Sequence, residues 1–127
     1  MLLCANWDLV ANKLSCLGVT RTINPFTPAA ANTYERVTAT KITLPANTIL
    51  RITASCIYQA SYATGIKLVR GTTDSASNTL AVAESSTDYN ALSVTTVCSF
   101  GSSQDIYVFL KCNSTGATKI VMVYDYL

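Results

Sequence analysis

Thr48-Ile49-Leu50-Arg51-Ile52-Thr53-Ala54-Ser55-Cys56-Ile57-Tyr58 alternates without a break. Leu50, Ile52, Ala54, Cys56 and Tyr58 take one face; Arg51, Thr53, Ser55 and Ile57 take the other. Period two over eleven residues, with a largely polar second face, is a half-buried strand and not a helix. Before it, Leu44-Pro45-Ala46-Asn47 reads as a turn, because Pro sets φ and Asn tolerates the left-handed region. Residues 37–44 alternate as well, with Thr38, Thr40 and Ile42 against Val37, Ala39, Lys41 and Thr43.

The same signal recurs downstream. Segments 65–69, 78–83, 91–100, 105–111 and 118–127 read as strands, separated by Gly-, Ser- and Asn-rich turns. In 91–100, Leu92, Val94, Thr96, Cys98 and Phe100 share a face. Seven or eight strands at this spacing predict an all-β antiparallel sandwich or barrel. The first 36 residues are less regular. There, 7–14 fits one helical turn or an irregular strand, and Asn24-Pro25-Phe26-Thr27-Pro28 must be extended.

The 127 residues fit a single domain, 1–127. Half are hydrophobic and only 13% are charged, which excludes a disordered chain or a coiled coil. It is also a low charge content for a surface wholly given to water. There is no histidine, so imidazole-based triads and His-ligated metals are excluded. A net charge of +2 is too weak to argue for nucleic acid as a partner, and none is expected. No apolar run reaches the length of a membrane span. The N-terminus lacks a basic segment, and Asp8 interrupts its apolar stretch, so no signal peptide is expected. In that setting Asn113-Ser114-Thr115, a glycosylation sequon by pattern, means little.

The five cysteines, Cys4, Cys16, Cys56, Cys98 and Cys112, have no zinc-ligand spacing. Cys56, Cys98 and Cys112 lie in strand-like apolar runs and are expected to be buried free thiols. The carboxylates are scattered, and no two fall on one strand face at the spacing that paired acid–base work needs. Asp74 and Asp88 sit in Ser/Thr-rich loops, where turn capping is their ordinary role. Lys67 and Arg70 lack interleaved aromatics. No cofactor or metal is expected.

The last two strands are apolar on both faces. Ile106, Val108, Leu110 and Cys112 share one face of the first, with Tyr107 and Phe109 opposite. Ile120, Met122, Tyr124 and Tyr126 share one face of the second, with Val121, Val123 and Leu127 opposite. A solvated sheet face should be polar, so something must cover these. Cover from the same chain is one option, and an oligomer interface through Tyr107, Phe109, Val121 and Val123 is the favoured one. Recognition would fall to the loops. Tyr62 in one loop, and Asp88, Tyr89 and Asn90 in another, are candidates to stack on and hydrogen-bond a sugar. The ordinary alternative is a pair of turns whose tyrosines fold onto the core edge.

Several of these stretches, taken in order, resemble the C-terminal head domains of phage tail-fibre and receptor-binding proteins. Ile42-Thr43-Leu44-Pro45-Ala46-Asn47-Thr48-Ile49-Leu50 is similar to their leucine-proline-alanine-glycine-threonine turn, with Asn47 where glycine is usual. Ala63-Thr64-Gly65-Ile66-Lys67-Leu68-Val69-Arg70 resembles the next turn and strand, and Leu92-Ser93-Val94 a later one. The aromatic-rich Asp105-Ile106-Tyr107-Val108-Phe109-Leu110 follows, so the order covers roughly 37–127. The resemblance implies a jelly-roll β-sandwich of the tumour-necrosis-factor type, assembled as a homotrimer. It also implies a virion protein, made in the host cytoplasm, that binds a host-surface saccharide or another virion protein, or decorates the particle. With no histidine, scattered carboxylates and cysteines expected to be buried, binding without turnover is expected. A monomeric carbohydrate-binding sandwich is the alternative, and a β-fold hydrolase with an unrecognised carboxylate is a third reading.

Overall fold

The computed structural model describes residues 6–8, 13–15, 18–85 and 91–127. Strands follow one another along them: β1 (Asn6–Asp8), β2 (Lys13–Ser15), β3 (Val19–Phe26), β4 (Glu35–Leu44), β5 (Leu50–Ile57), β6 (Ala63–Arg70), β7 (Thr79–Glu84), β8 (Leu92–Cys98), β9 (Gln104–Cys112) and β10 (Thr118–Tyr126). No helix occurs among the described residues. β1 and β2 pair as a small antiparallel ribbon, so the described ends of segment 7–14, Trp7, Asp8, Lys13 and Leu14, lie in strands. The other eight form two antiparallel sheets, ordered β3-β10-β5-β8 and β4-β9-β6-β7. Apart from the β6–β7 hairpin, successive strands cross between the two sheets, in the double Greek-key order of a jelly roll. The expected fold class is therefore present.

The alternation in β5 works as its sequence dictates. Leu50, Ile52, Ala54 and Cys56 point into the space between the sheets and are buried. Tyr58 lies past the strand end and is exposed, unlike the four residues whose phase it shares. The turn before β5 has Asn47 at φ 59°, the left-handed region for which Asn is suited. From the facing sheet, Val37, Ile42, Leu44, Ile66, Leu68, Ile106, Val108, Leu110 and Cys112 complete the core with Ile120, Met122 and Tyr124 of β10.

One phase reading fails in β4. Val37 points inward, and so do Thr40, Ile42 and Leu44, although 37 and 40 are of opposite parity. The pairing with β9 shifts between Val37 and Ile42, so an irregularity in the strand reverses its phase. Thr40 repairs the interruption. Its hydroxyl donates to the Val37 carbonyl at 2.6 Å and accepts the Val108 N–H at 2.8 Å.

The expected interface divides between two sheets. Tyr107 and Phe109 lie on the outer face of β4-β9-β6-β7, whereas Val121 and Val123 lie on the outer face of β3-β10-β5-β8. Tyr107 and Phe109 are only 6% and 4% exposed within the single chain. Within the single chain their cover is therefore already intrachain, the less favoured of the two covers that the sequence allowed. Phe109 lies in register between Lys67 of β6 and Arg36 of β4. The Arg36 guanidinium sits 5.4 Å from the Tyr107 ring centre, and Tyr34 packs on the same cluster with Val69. Long cationic side chains can lay their stems over apolar surface while the charge stays wet.

Candidate functional site

The row of residues across β7, β6 and β9 decides the local surface. Gly65 pairs in register with Glu84 on one side and with Lys111 on the other. Gly65 has no side chain, so a slot opens between the carboxylate and the ammonium. Tyr34 fills it from the start of β4. A Cβ at position 65 would lie 2.7 Å from the Tyr34 Cζ and closer still to its hydroxyl, so only glycine fits beneath the ring.

Local hydrogen bonds deliver Tyr34 to the slot. Ala29 and Ala30 donate their N–H groups to the Glu35 carboxylate at 2.8 and 3.4 Å. Asn32 takes φ 57° and donates its N–H to the Cys112 carbonyl at 2.7 Å, which turns the chain back over the sheet. The Tyr34 hydroxyl then donates to Glu84 Oε1 at 2.7 Å. Lys67 Nζ and Lys111 Nζ stand 4.1 and 4.9 Å from its ring centre. Lys111 approaches the same Glu84 oxygen at 3.5 Å, and Lys67 pairs with Asp74 at 2.9 Å. Burial, then the bond to Glu84, pushes the Tyr34 phenol up. The Tyr34 hydroxyl, then Lys111, holds the Glu84 carboxyl below its ordinary range.

At the end of this row lies an open groove of about 450 Å³, lined by Asn32, Thr64, Glu84, Ser85 and Lys111. The Ser85 N–H donates to the Thr64 carbonyl at 3.1 Å, so the two loops that the sequence singled out meet here. Of the sequence candidates, Tyr62 lies in one of them. Its N–H donates to Asn113 Oδ1 at 2.9 Å, and its carbonyl accepts the Asn113 N–H at 3.1 Å. Asp88, Tyr89 and Asn90 lie outside the described residues. The sequence reading missed Asn32, Tyr34, Glu84 and Lys111. The available signal was Gly65, read as the first residue of a strand that in fact begins at Ala63, which leaves a glycine inside the sheet.

The second surface is the outer face of β3-β10-β5-β8. Register places Thr20, Val123, Thr53 and Thr95 in one row and Thr22, Val121, Ser55 and Ser93 in the next. Val123 is 45% exposed and Val97 59%. The Thr53 and Thr95 hydroxyls bond to each other at 2.9 Å. Neither row carries a charge, and beside them Arg51 pairs with Asp125.

Among the described residues, Cys56, Cys98 and Cys112 are free thiols, and no group of three or more His, Cys, Asp or Glu side chains could hold a metal. No described helix is long and apolar enough to cross a membrane. No protein-family model and no curated protein matches this chain.

Proposed function

We propose that this chain is a non-enzymatic, self-assembling binding head of a virion, a homotrimer that holds a host-surface saccharide or a protein partner. The observation that carries it is the pair of uncharged Thr/Val/Ser rows around Val121 and Val123, on an outer face where Val123 and the neighbouring Val97 are exposed. Exposed apolar surface of this kind marks interaction surfaces. The engagement of the described carboxylates supports binding over catalysis. Glu35 accepts backbone N–H groups, and Asp74, Glu84, Asp105 and Asp125 each face a lysine or arginine. None is paired with a second acid. The virion setting rests on the family resemblance of residues 37–127.

Light scattering tests the assembly. The mass should be about three times 13.6 kDa. Val123→Lys should return it to one chain while keeping the fold, because an ammonium held in an apolar interface costs several kcal/mol. Phe109→Lys should instead unfold the chain, because its cover is intrachain. A monomer at micromolar concentration overturns the assembly and favours the monomeric carbohydrate-binding sandwich.

A further inference from the structure

We propose that the groove lined by Asn32, Thr64, Glu84, Ser85 and Lys111 binds a neutral, hydroxyl-rich ligand, a saccharide unit. The proposal deepens the binding-head reading by placing its ligand site. The charges decide the ligand class. Among the described residues, the groove's charged lining is Glu84 and Lys111, joined in an ion pair, and Lys67 and Asp74 beside the Tyr34 ring form a second pair. The described charges of this cluster neutralise one another, so they hold no surplus field for an anion or a cation.

What remains is a fixed array of donors and acceptors. Tyr34 and Lys111 engage Glu84 at Oε1, and its Oε2 makes no hydrogen bond among the described residues. A carboxylate oxygen held this way accepts from a ligand hydroxyl. Lys111 brings donors, and the Asn32 side-chain amide brings one acceptor and two donors. The amide makes no hydrogen bond among the described residues, while the Asn32 backbone is anchored on Cys112. Thr64 donates its hydroxyl to the Lys111 carbonyl and keeps lone pairs for a ligand. Adjacent sugar hydroxyls donate and accept at once and carry no charge, which is the complement of this set. The Tyr34 strap holds Glu84 in place before any ligand arrives, which limits the ordering penalty of binding. The groove volume, about 450 Å³, lies in the range of small-molecule sites, roughly 300–1,000 Å³.

The experiment titrates the full chain, by ligand-observed NMR and calorimetry, with lactose, maltotriose and mannotriose. Sialyllactose and a glucuronate disaccharide serve as the anionic arm. At least one neutral sugar should bind. Glu84→Gln and Asn32→Gly should each weaken it tenfold or more, and Thr95→Ala on the opposite sheet should leave it unchanged. Asn32→Gly keeps the left-handed backbone and the Tyr34 strap, so its loss of binding is not a loss of fold. Absence of any neutral binding, binding unaffected by both groove variants, or binding of the anionic sugars alone would each overturn the proposal. A trimer without neutral binding refutes the groove and leaves the assembly standing. A monomer whose neutral binding depends on Glu84 and Asn32 supports the groove and refutes the assembly.

Discussion

Gly65→Ala isolates the Tyr34 strap. The new Cβ would enter the space of the Tyr34 ring, 2.7 Å from Cζ, so the ring must leave the slot. Three contributions go with it. The hydroxyl loses its bond to Glu84. The ring loses the Lys67 and Lys111 ammonium groups at 4.1 and 4.9 Å, each worth about 0.5–1 kcal/mol near a surface. Part of the ring, and of the Tyr107 and Phe109 faces beside it, returns to water, worth about 1 kcal/mol more. Against this, alanine restricts the unfolded chain and returns about 0.4–1 kcal/mol. The net expectation is a destabilisation of about 2 kcal/mol, or roughly 8 °C in the thermal midpoint for a domain of this size. Urea unfolding of wild type, Gly65→Ala, Tyr34→Ala and the double variant measures it. Once Tyr34 is gone, alanine at 65 should be harmless or stabilising, so the cycle must be strongly non-additive. Additive effects, or a Gly65→Ala loss below about 0.5 kcal/mol, would refute the slot as the reason for the glycine.

Thr40→Val keeps the shape but leaves the Val37 carbonyl and the Val108 N–H without their partner; it should cost about 2–4 kcal/mol in urea unfolding at an unchanged m-value, and a loss under about 1 kcal/mol would mean that the strand repairs itself. The stability difference between wild type and Glu84→Gln should be flat from about pH 5 to pH 9 and shrink at both ends. The Glu84 contribution, with its folded carboxyl held low, is present above about pH 4.3 and fades as pH falls through the folded value. The Tyr34 contribution, with its folded phenol pushed up, is full below about pH 10 and is lost as pH rises beyond it, so a difference that keeps growing at either extreme would contradict the pair. Burial raises the Cys56 and Cys98 thiols, and burial with Cys56 alongside pushes Cys112 up to about 12. Of these three thiols, native-state alkylation at pH 8 should therefore reach half-buried Cys98 first and Cys56 and Cys112 only on unfolding; earlier labelling of Cys112 would place it at the surface.

The architecture was legible because it rests on local pattern. Leu50, Ile52, Ala54 and Cys56 alternate over a polar face, and Ile106, Val108, Leu110 and Cys112 hold one phase although Tyr107 and Phe109 stand opposite them; period two alone aims each set at one core. Asn47 was legible for the same local reason, as a residue suited to the left-handed region before a strand. β3 was not read as a strand, because its mixed residues VTRTINPF show little alternation and its place is set by pairing with β10.

By itself, the sequence determined the class of fold and the positions of most strands, since alternation and turn chemistry act over a few neighbouring residues. It also determined that no imidazole is present. Only the tertiary structure decided what covers each outer face. Tyr107 and Phe109 look alike in sequence to Val121 and Val123, as apolar residues on the second side of a strand. The first two pack with Val69 and Tyr34, and Arg36 lies over Tyr107, all drawn from elsewhere in the chain, while Val123 stays open to solvent. The groove is of the same kind. Asn32, Thr64, Glu84 and Lys111 meet through strand register and through a tyrosine seated over a glycine, and register joins residues that are far apart along the chain.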